Sequence, residues 1–304
     1  GGAPCVVAVG DLTADIIVEV GELPIRSGDF RVVETLHMEP GGSANLLILL
    51  SRLGAAAVAL GTLGTDIWGS RVSEILASEG VAVSSVRRGG ITAVALVLVD
   101  GEGGHSFIGS YGKGDPPAFG EEESRVIAGA DGLFTSGYSL AEARLRDLAL
   151  AALDFAGERG IPRFFDPGPA FASLEPDLRR RALASCDVLL LTEEELQDLS
   201  ATARTVVVKR GAAGCRVYTQ TGEPADVPGV SVPVRDTTAA GDCFDGAYIW
   251  AHLSGAPPED CARLANCAGA AAVQKLGGGR NVPTIGELRQ MMTRAGVGIE
   301  IRGQ

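Results

Sequence analysis

The feature that most limits the fold is a series of short, continuously apolar runs separated by stretches with helical spacing. Residues 188–191 read Val-Leu-Leu-Leu and residues 205–208 read Thr-Val-Val-Val. A strand with one face in water alternates apolar and polar residues, because successive side chains point to opposite faces. A strand that is apolar throughout is buried on both faces, the condition of a parallel sheet covered by helices. Further runs of this kind lie at 6–9, 57–60, 94–99, 132–134, 163–166 and 215–218. Helical patterns fill 44–53, 68–79, 141–159, 193–199, 243–254, 258–275 and 285–294. The alternation predicts an α/β fold, a doubly wound, mostly parallel central sheet flanked by helices.

Two regions break the rhythm. Residues 15–38 and 91–111 hold short extended segments and turn residues, among them Gly21, Pro24, Gly28 and the run Asp100-Gly101-Glu102-Gly103-Gly104. The segments on either side of that run read as a hairpin. Together the two regions predict one small β-sheet inserted into a core made of 1–14, 39–90 and 112–304. Placed over the strand ends, such a sheet would form a lid.

Composition narrows the function. At 304 residues the chain can bury about three quarters of its unfolded surface, so its core needs no disulfide or structural metal. Six cysteines lie in apolar contexts without a C-x-x-C pair, as reduced thiols would. His37, His105 and His252 are too dispersed to predict a metal site. A formal net charge of −12 argues against a nucleic-acid partner, since phosphate contacts need basic surface. No apolar run is long enough to span a bilayer, and no basic segment precedes the first strand, so a cytoplasmic protein without a signal peptide is expected.

The densest chemistry lies in Val234-Arg235-Asp236-Thr237-Thr238-Ala239-Ala240-Gly241-Asp242-Cys243-Phe244-Asp245-Gly246-Ala247. Small residues at Ala239, Ala240 and Gly241 let another molecule approach the backbone. The N–H groups of Ala240, Gly241 and Asp242 are expected to be unpaired donors of a first helical turn, an anion site. Asp242 stands where a carboxylate can take a proton from a hydroxyl attacking a phosphate. An acid in a first turn is also simply a good helix start, and the stretch alone leaves both readings open.

This stretch resembles the C-terminal signature D-T-T-[GA]-A-G-D of the ribokinase-like (PfkB) carbohydrate and nucleoside kinases. Three further places agree in order: Gly10-Asp11-Leu12-Thr13-Ala14-Asp15, then Pro40-Gly41-Gly42-Ser43-Ala44-Asn45, then Gly61-Thr62-Leu63-Gly64-Thr65-Asp66. The resemblance spans the chain, and the inserted sheet matches the family's lid. It implies transfer of the γ-phosphate of ATP to a hydroxymethyl group of a sugar. Asp242 would be the base, and the backbone of Ala239, Ala240 and Gly241 the anion hole. Asp15, Asp11, Gly41, Gly42 and Asn45 would hold the acceptor. Lys209, Gly211, Gly214, Asn266 and Thr192 would border the nucleotide. Glu195 would act on magnesium through water. Asp236, Thr238, Ala272, Gly277 and Asn281 match positions of a monovalent cation, potassium, although Asp236 is equally suited to capping a turn. A homodimer formed through the lid is expected.

Two departures bear on detail. Where the family carries N-x-x-E, the sequence reads Thr192-Glu193-Glu194-Glu195, so metal contacts differ. Only Ser43 and Ala44 separate the glycine pair from Asn45, which alters how Asn45 points. Lys113 is either a substrate-facing or a solvated residue. A nucleoside kinase is the nearest alternative, with Phe107, Tyr111 and Phe171 as candidate stacking platforms. A non-catalytic binding relative is a second alternative. A dinucleotide oxidoreductase lacks its G-x-G-x-x-G after the first strand, and a P-loop kinase its G-x-x-x-x-G-K-[ST].

Overall fold

The computed structural model describes residues 2–34, 36–101, 104–196 and 203–301. The first part of the chain runs β1 (Cys5–Val9), β2 (Leu12–Gly21), β3 (His37–Gly42), α1 (Ala44–Arg52), β4 (Ala56–Leu60), β5 (Thr62–Leu63), α2 (Ile67–Ser78), β6 (Arg87–Arg88), β7 (Ala93–Asp100) and β8 (His105–Ser110). The middle part runs α3 (Glu121–Ala128), β9 (Gly132–Ser136), α4 (Gly137–Ala141), α5 (Ala143–Glu158), β10 (Arg163–Asp166), α6 (Pro176–Ala184), β11 (Val188–Thr192) and α7 (Glu193–Leu196). The last part runs β12 (Thr205–Lys209), β13 (Cys215–Thr219), β14 (Ala225–Val227), α8 (Ala240–Leu253), α9 (Pro258–Ala272) and α10 (Ile285–Ala295).

The large sheet has the order β14-β13-β12-β11-β10-β9-β1-β4. Its pairs are parallel from β4 to β12, and β13 and β14 add antiparallel to the edge. Burial on both faces is visible residue by residue. Val6 and Ala8 enter a core shared with Leu46 of α1, Phe244 of α8 and Leu264 of α9. Their neighbours Val7 and Val9 enter the opposite core with Ile127 of α3 and Leu153 of α5. Phe164 and Phe165, and Leu190 and Leu191, divide the same way. This is the doubly wound arrangement that the apolar runs predict.

A second sheet has the order β3-β2-β7-β8, with β2 and β7 parallel and both outer pairs antiparallel. The hairpin of β7 and β8 is present. The strands overrun the boundaries expected at 15 and 38, because β2 begins at Leu12 and β3 ends at Gly42. The small sheet therefore carries Gly41 and Gly42 itself. Its own buried core is slight, Ile17, Val97 and Val99.

Other differences have local causes. The helix expected over 141–159 breaks at Glu142, whose backbone is extended and whose side chain pairs with Arg144 at 2.7 Å. The helix expected from 243 begins at Ala240, and the one expected to reach 275 ends at Ala272. Helices α3 and α6 carry too few apolar residues to stand out by periodicity. The end of the stretch 193–199 and the pair Glu102-Gly103 lie outside the described residues. Among the described residues, no helix is long and apolar enough to cross a membrane.

Candidate active site

In a parallel sheet the loops after the strands' carboxyl ends form the crevice where ligands bind. Asp11 follows β1, Tyr138 follows β9, and Asp166, Thr192 and Lys209 close β10, β11 and β12. Because these strands are neighbours, their terminal residues meet along one edge, opposite the N-terminus of α8.

Asp242 lies in the first turn of α8 and accepts a hydrogen bond from Asn45 Nδ2 at 2.8 Å. Asn45 Oδ1 in turn accepts from the Gly279 N–H at 2.7 Å. One side chain on α1 thus fixes both the acid and the loop before α10, with only Ser43 and Ala44 between it and the glycine pair. The N–H groups of Gly241 and Asp242 have no acceptor among the described residues. The Ala240 N–H departs from expectation, since it donates to the Thr237 carbonyl at 3.2 Å. The donor set at the helix start is therefore Gly241 and Asp242. Ala239 is the one described non-glycine residue with a positive φ, +63°, and it turns the chain into the helix.

One side of the site is acidic and close-packed. Asp15 is buried and takes a hydrogen bond from Thr13 Oγ1 at 2.7 Å. A Cβ on Gly41 would lie 2.0 Å from Asp15 Oδ2, and one on Gly42 would lie 2.6 Å from Asp11 Oδ2. Glycine is required at both positions because each backbone lies against a carboxylate. Burial pushes the Asp11 carboxyl up to about 7, helped by the charges of Asp242 and Glu142. Burial also lifts Asp15 and Asp242 to about 6, against the bonds from Thr13 and Asn45 that favour their ionised forms. Three carboxyls that each feel a neighbour's charge are held near neutrality, where a base is most useful.

The other side is a cavity of about 710 Å³. It is lined by Thr192, Lys209, Gly211, Gly214, Gly229, Ala240, Gly241, Phe244 and Asn266, among others. Asn266 Nδ2 donates to the carbonyls of Val227 and Pro228 at 3.2 and 3.1 Å, which fixes the cavity wall. Thr192 and Glu195 form a reciprocal cap: Glu195 Oε2 accepts from the Thr192 N–H at 2.8 Å, and Thr192 Oγ1 from the Glu195 N–H at 3.4 Å. Burial, then the charge of Asp166, holds the Glu195 carboxyl above the usual carboxylate range. Glu195, in the short helix after β11, is a hard oxygen donor of the kind magnesium takes.

Asp236 is fully buried. Its Oδ1 accepts from the Thr238 N–H and hydroxyl at 2.9 and 2.8 Å, and its Oδ2 from the Gly277 N–H at 2.6 Å. Asn281 Nδ2 holds the Leu276 carbonyl at 2.9 Å, and the Ala272 carbonyl accepts from Lys275 at 3.1 Å. These five residues are gathered in one region, and Asp236 serves there as a clasp. Its two oxygens take three hydrogen bonds from the described residues.

Sequence reasoning missed several residues here. Tyr138 is 41 % exposed, with its ring 3.1 Å from where a Cβ on Gly168 would stand. Burial, then the charges of Asp11 and Asp242, push its phenol up to about 12, so it stays a hydrogen-bond donor. Asp166 was signalled by its place at a strand's carboxyl end. Asp245 was signalled by being an acid inside an otherwise apolar helix. Phe171, expected as a stacking platform, is instead buried against Phe165. Lys113 is exposed, and its backbone pairs with Ile91. His252 packs edge-on against Phe164.

An acid beside free helix donors can take a proton from an alcohol as a phosphoryl group reaches those donors, and the class of protein so defined is a small-molecule kinase. The chain belongs to the pfkB family of carbohydrate kinases, which its residues 4–285 match. It is 30% identical to an ATP-dependent ribose-1-phosphate kinase of Halopiger xanaduensis, over 92% of this chain and 95% of that protein. It is 26% identical to a nucleoside kinase of Methanothermobacter thermautotrophicus, over 94% of each. The structure of Arabidopsis thaliana ribokinase complexed with ribose and ATP superposes with a TM-score of 0.80 at 26% identity, covering 95% of this chain and 99% of that one.

Proposed function

We propose that the protein transfers the γ-phosphate of ATP to a hydroxymethyl group of a neutral sugar, with Asp242 as general base. The observation that carries this reading is the Asp242 carboxyl, tied to Asn45, beside the free N–H groups of Gly241 and Asp242. Asp11 and Asp15 accept hydrogen bonds from the sugar's hydroxyls, and Asn45 can give and take them. The triphosphate occupies the cavity between Lys209, Gly211 and α8. Asp242 takes the hydroxyl proton while the Gly241 and Asp242 N–H groups bind the developing negative charge. Magnesium, when present with ATP, would be held from Glu195 through water and supplies charge to the β- and γ-phosphates. The small sheet covers the sugar and excludes water, which limits ATP hydrolysis.

The acceptor side favours an uncharged sugar. Asp11, Asp15 and the buried Glu142 put negative charge there, and Arg144 is already paired with Glu142 at 2.7 Å. A nucleoside is the second reading, favoured by the exposed rings of Tyr111 and Tyr138 at 54 % and 41 %. Activation by potassium rests on resemblance alone, and replacing K⁺ by Li⁺ tests it. A homodimer through the small sheet is part of the reading, supported by exposed Phe107 and Ile108 on β8. The free cysteines fit a reducing cytoplasm.

The test is ATP consumption with Mg²⁺ and K⁺ against pentoses, hexoses, sugar acids, sugar phosphates including ribose 1-phosphate, and nucleosides, with Asp242→Asn in parallel. Turnover with one neutral sugar, lost in the variant, is expected. Undiminished activity in Asp242→Asn would remove Asp242 from the chemistry, and no turnover with any acceptor would favour a binding protein.

A further inference from the structure

Lys209, Asp166 and Asp245 form a buried ionic group beneath the N-terminus of α8. Lys209 Nζ lies 2.8 Å from Asp166 Oδ2 and 3.1 Å from Asp245 Oδ1. Asp245 is fully buried, and the lysine side chain is 11 % exposed. A single carboxylate would neutralise the ammonium, so two do more than balance charge. They fix its position from two directions, one from the end of β10 and one from α8.

An ammonium carries three N–H donors and no acceptor. One goes to Asp166 and one is shared between the two Asp245 oxygens, at 3.1 and 3.4 Å, which leaves the third without a further acceptor among the described residues. Lys209 lines the cavity together with Gly241. A Cβ built on Gly241 would stand 3.7 Å from Lys209 Nζ. The unused N–H of the lysine and the free N–H groups of Gly241 and Asp242 are therefore adjacent. Burial works against the lysine's charge, but Asp166 and then Asp245 outweigh it and hold the ammonium above the ordinary lysine range. Around it stand Asp242 and Glu195, so an incoming triphosphate would otherwise meet mainly negative charge.

We infer that Lys209 is a phosphate-binding residue of the transfer site, held by Asp166 and Asp245 so that its unused N–H meets an oxygen of the nucleotide's terminal phosphates. The inference rests on the kinase reading above and deepens it. Asp166 and Asp245 are positioning residues in this arrangement. The base and ribose of the nucleotide lie elsewhere, against the turn of Gly211 and Gly214, so Lys209 discriminates by phosphate alone.

Calorimetric titration with adenosine, ADP and ATP tests this on the wild type, Lys209→Met, and Lys209→Met with Asp245→Asn. The double variant removes one of the carboxylates that the single change leaves unpaired. The expected result is ATP and ADP binding weakened about 10- to 100-fold, the scale of a hydrogen bond to a charged group, with adenosine binding unchanged. A folded variant that keeps the wild-type ratio of ATP to adenosine affinity overturns the inference. If neither variant folds, the wild-type Lys209 Nζ resonance decides. A shift with ADP but not with adenosine supports the role, and no shift with ADP overturns it. Wild type that binds no nucleotide and turns over no acceptor overturns the kinase reading itself, and the Lys209 role falls with it.

Discussion

Strand β9 of the large sheet is buried at all five of its residues, whereas β8 of the small sheet is exposed at all six. The site lies between these extremes. In the proposed reading its phosphoryl side is built on the buried sheet and on α8, where Asp236 and Asp245 are fully buried and hydrogen-bonded. Its acceptor side in that reading is built on β2 and β3, strands of a sheet whose separate buried cluster among the described residues is Ile17, Val97 and Val99. Rigid packing suits a step that every substrate shares, because transition-state stabilisation depends on fixed donors and a fixed base. A thinly packed sheet opens at low energetic cost and suits the step that selects an acceptor. Changes on the two sides should therefore separate into effects on turnover and effects on acceptor binding.

The largest expected effect is on the phosphoryl side. Asp242→Asn should lower kcat by ~10²–10⁴, the scale of general-base catalysis, with ADP affinity little changed. If turnover stayed within about threefold, another group would have to be the base.

Next comes the acceptor side. A Cβ on Gly41 would stand 2.0 Å from Asp15 Oδ2, so Gly41→Ala must displace that carboxylate. Misplacing a substrate-holding group by about an ångström can cost up to ~10² in rate. The expected signature is a higher KM for the acceptor with an unchanged Kd for ADP. A change confined to ADP binding would erase the division between the two sides.

Acidity gives a third, smaller effect with a defined sign. Asp242 must be ionised to accept a proton and is held at about 6, so kcat/KM should fall as pH drops through about 6. Stability runs the other way. Asp11, Asp15 and Asp242 hold protons more strongly in the folded chain than in the unfolded one. The folded state is thus favoured near pH 4–5 and loses that advantage as pH rises toward 7. His252, held below its ordinary range by burial, opposes this as one group against three. The ligand-free Tm should be higher at pH 5 than at pH 8, and Asp11→Asn should narrow the gap. A Tm that rises over that range would contradict the burial of these acids.

The same contrast explains what the sequence made legible. Both-face burial writes itself as unbroken apolar runs, so β1, β9, β10, β11 and β12 could be read directly. The motif around Asp242 and the glycine pair became readable only through its resemblance to the pfkB signature, because the stretch alone also fits an ordinary helix start. The ten-residue length of β2 was hidden, since its Thr13, Asp15 and Glu19 interrupt the apolar pattern. Tyr138 could not be found because nothing local marks an aromatic residue that only the strand order brings between Asp11 and Asp166. The Ala240 N–H was misjudged because the hydrogen bond that takes it depends on the turn at Ala239, a backbone feature that alanine does not announce.

That turn supplies the smallest prediction. A positive φ costs an L-residue roughly 1–2 kcal/mol, and Ala239 bears it at +63°. Ala239→Gly relieves the strain but gives the unfolded chain more freedom, an offset of about 0.4–1 kcal/mol. The net change in stability should therefore be a gain of no more than about 1.6 kcal/mol, and kcat should stay within about twofold if only the backbone of residue 239 matters to the site. Ala239→Val should lower Tm and kcat together, since a β-branched residue resists this conformation most. If Ala239→Gly instead reduced turnover sharply while Tm held, the alanine methyl itself would be shaping the phosphoryl side. The tight packing ascribed to that half would then extend to the edge of the helix.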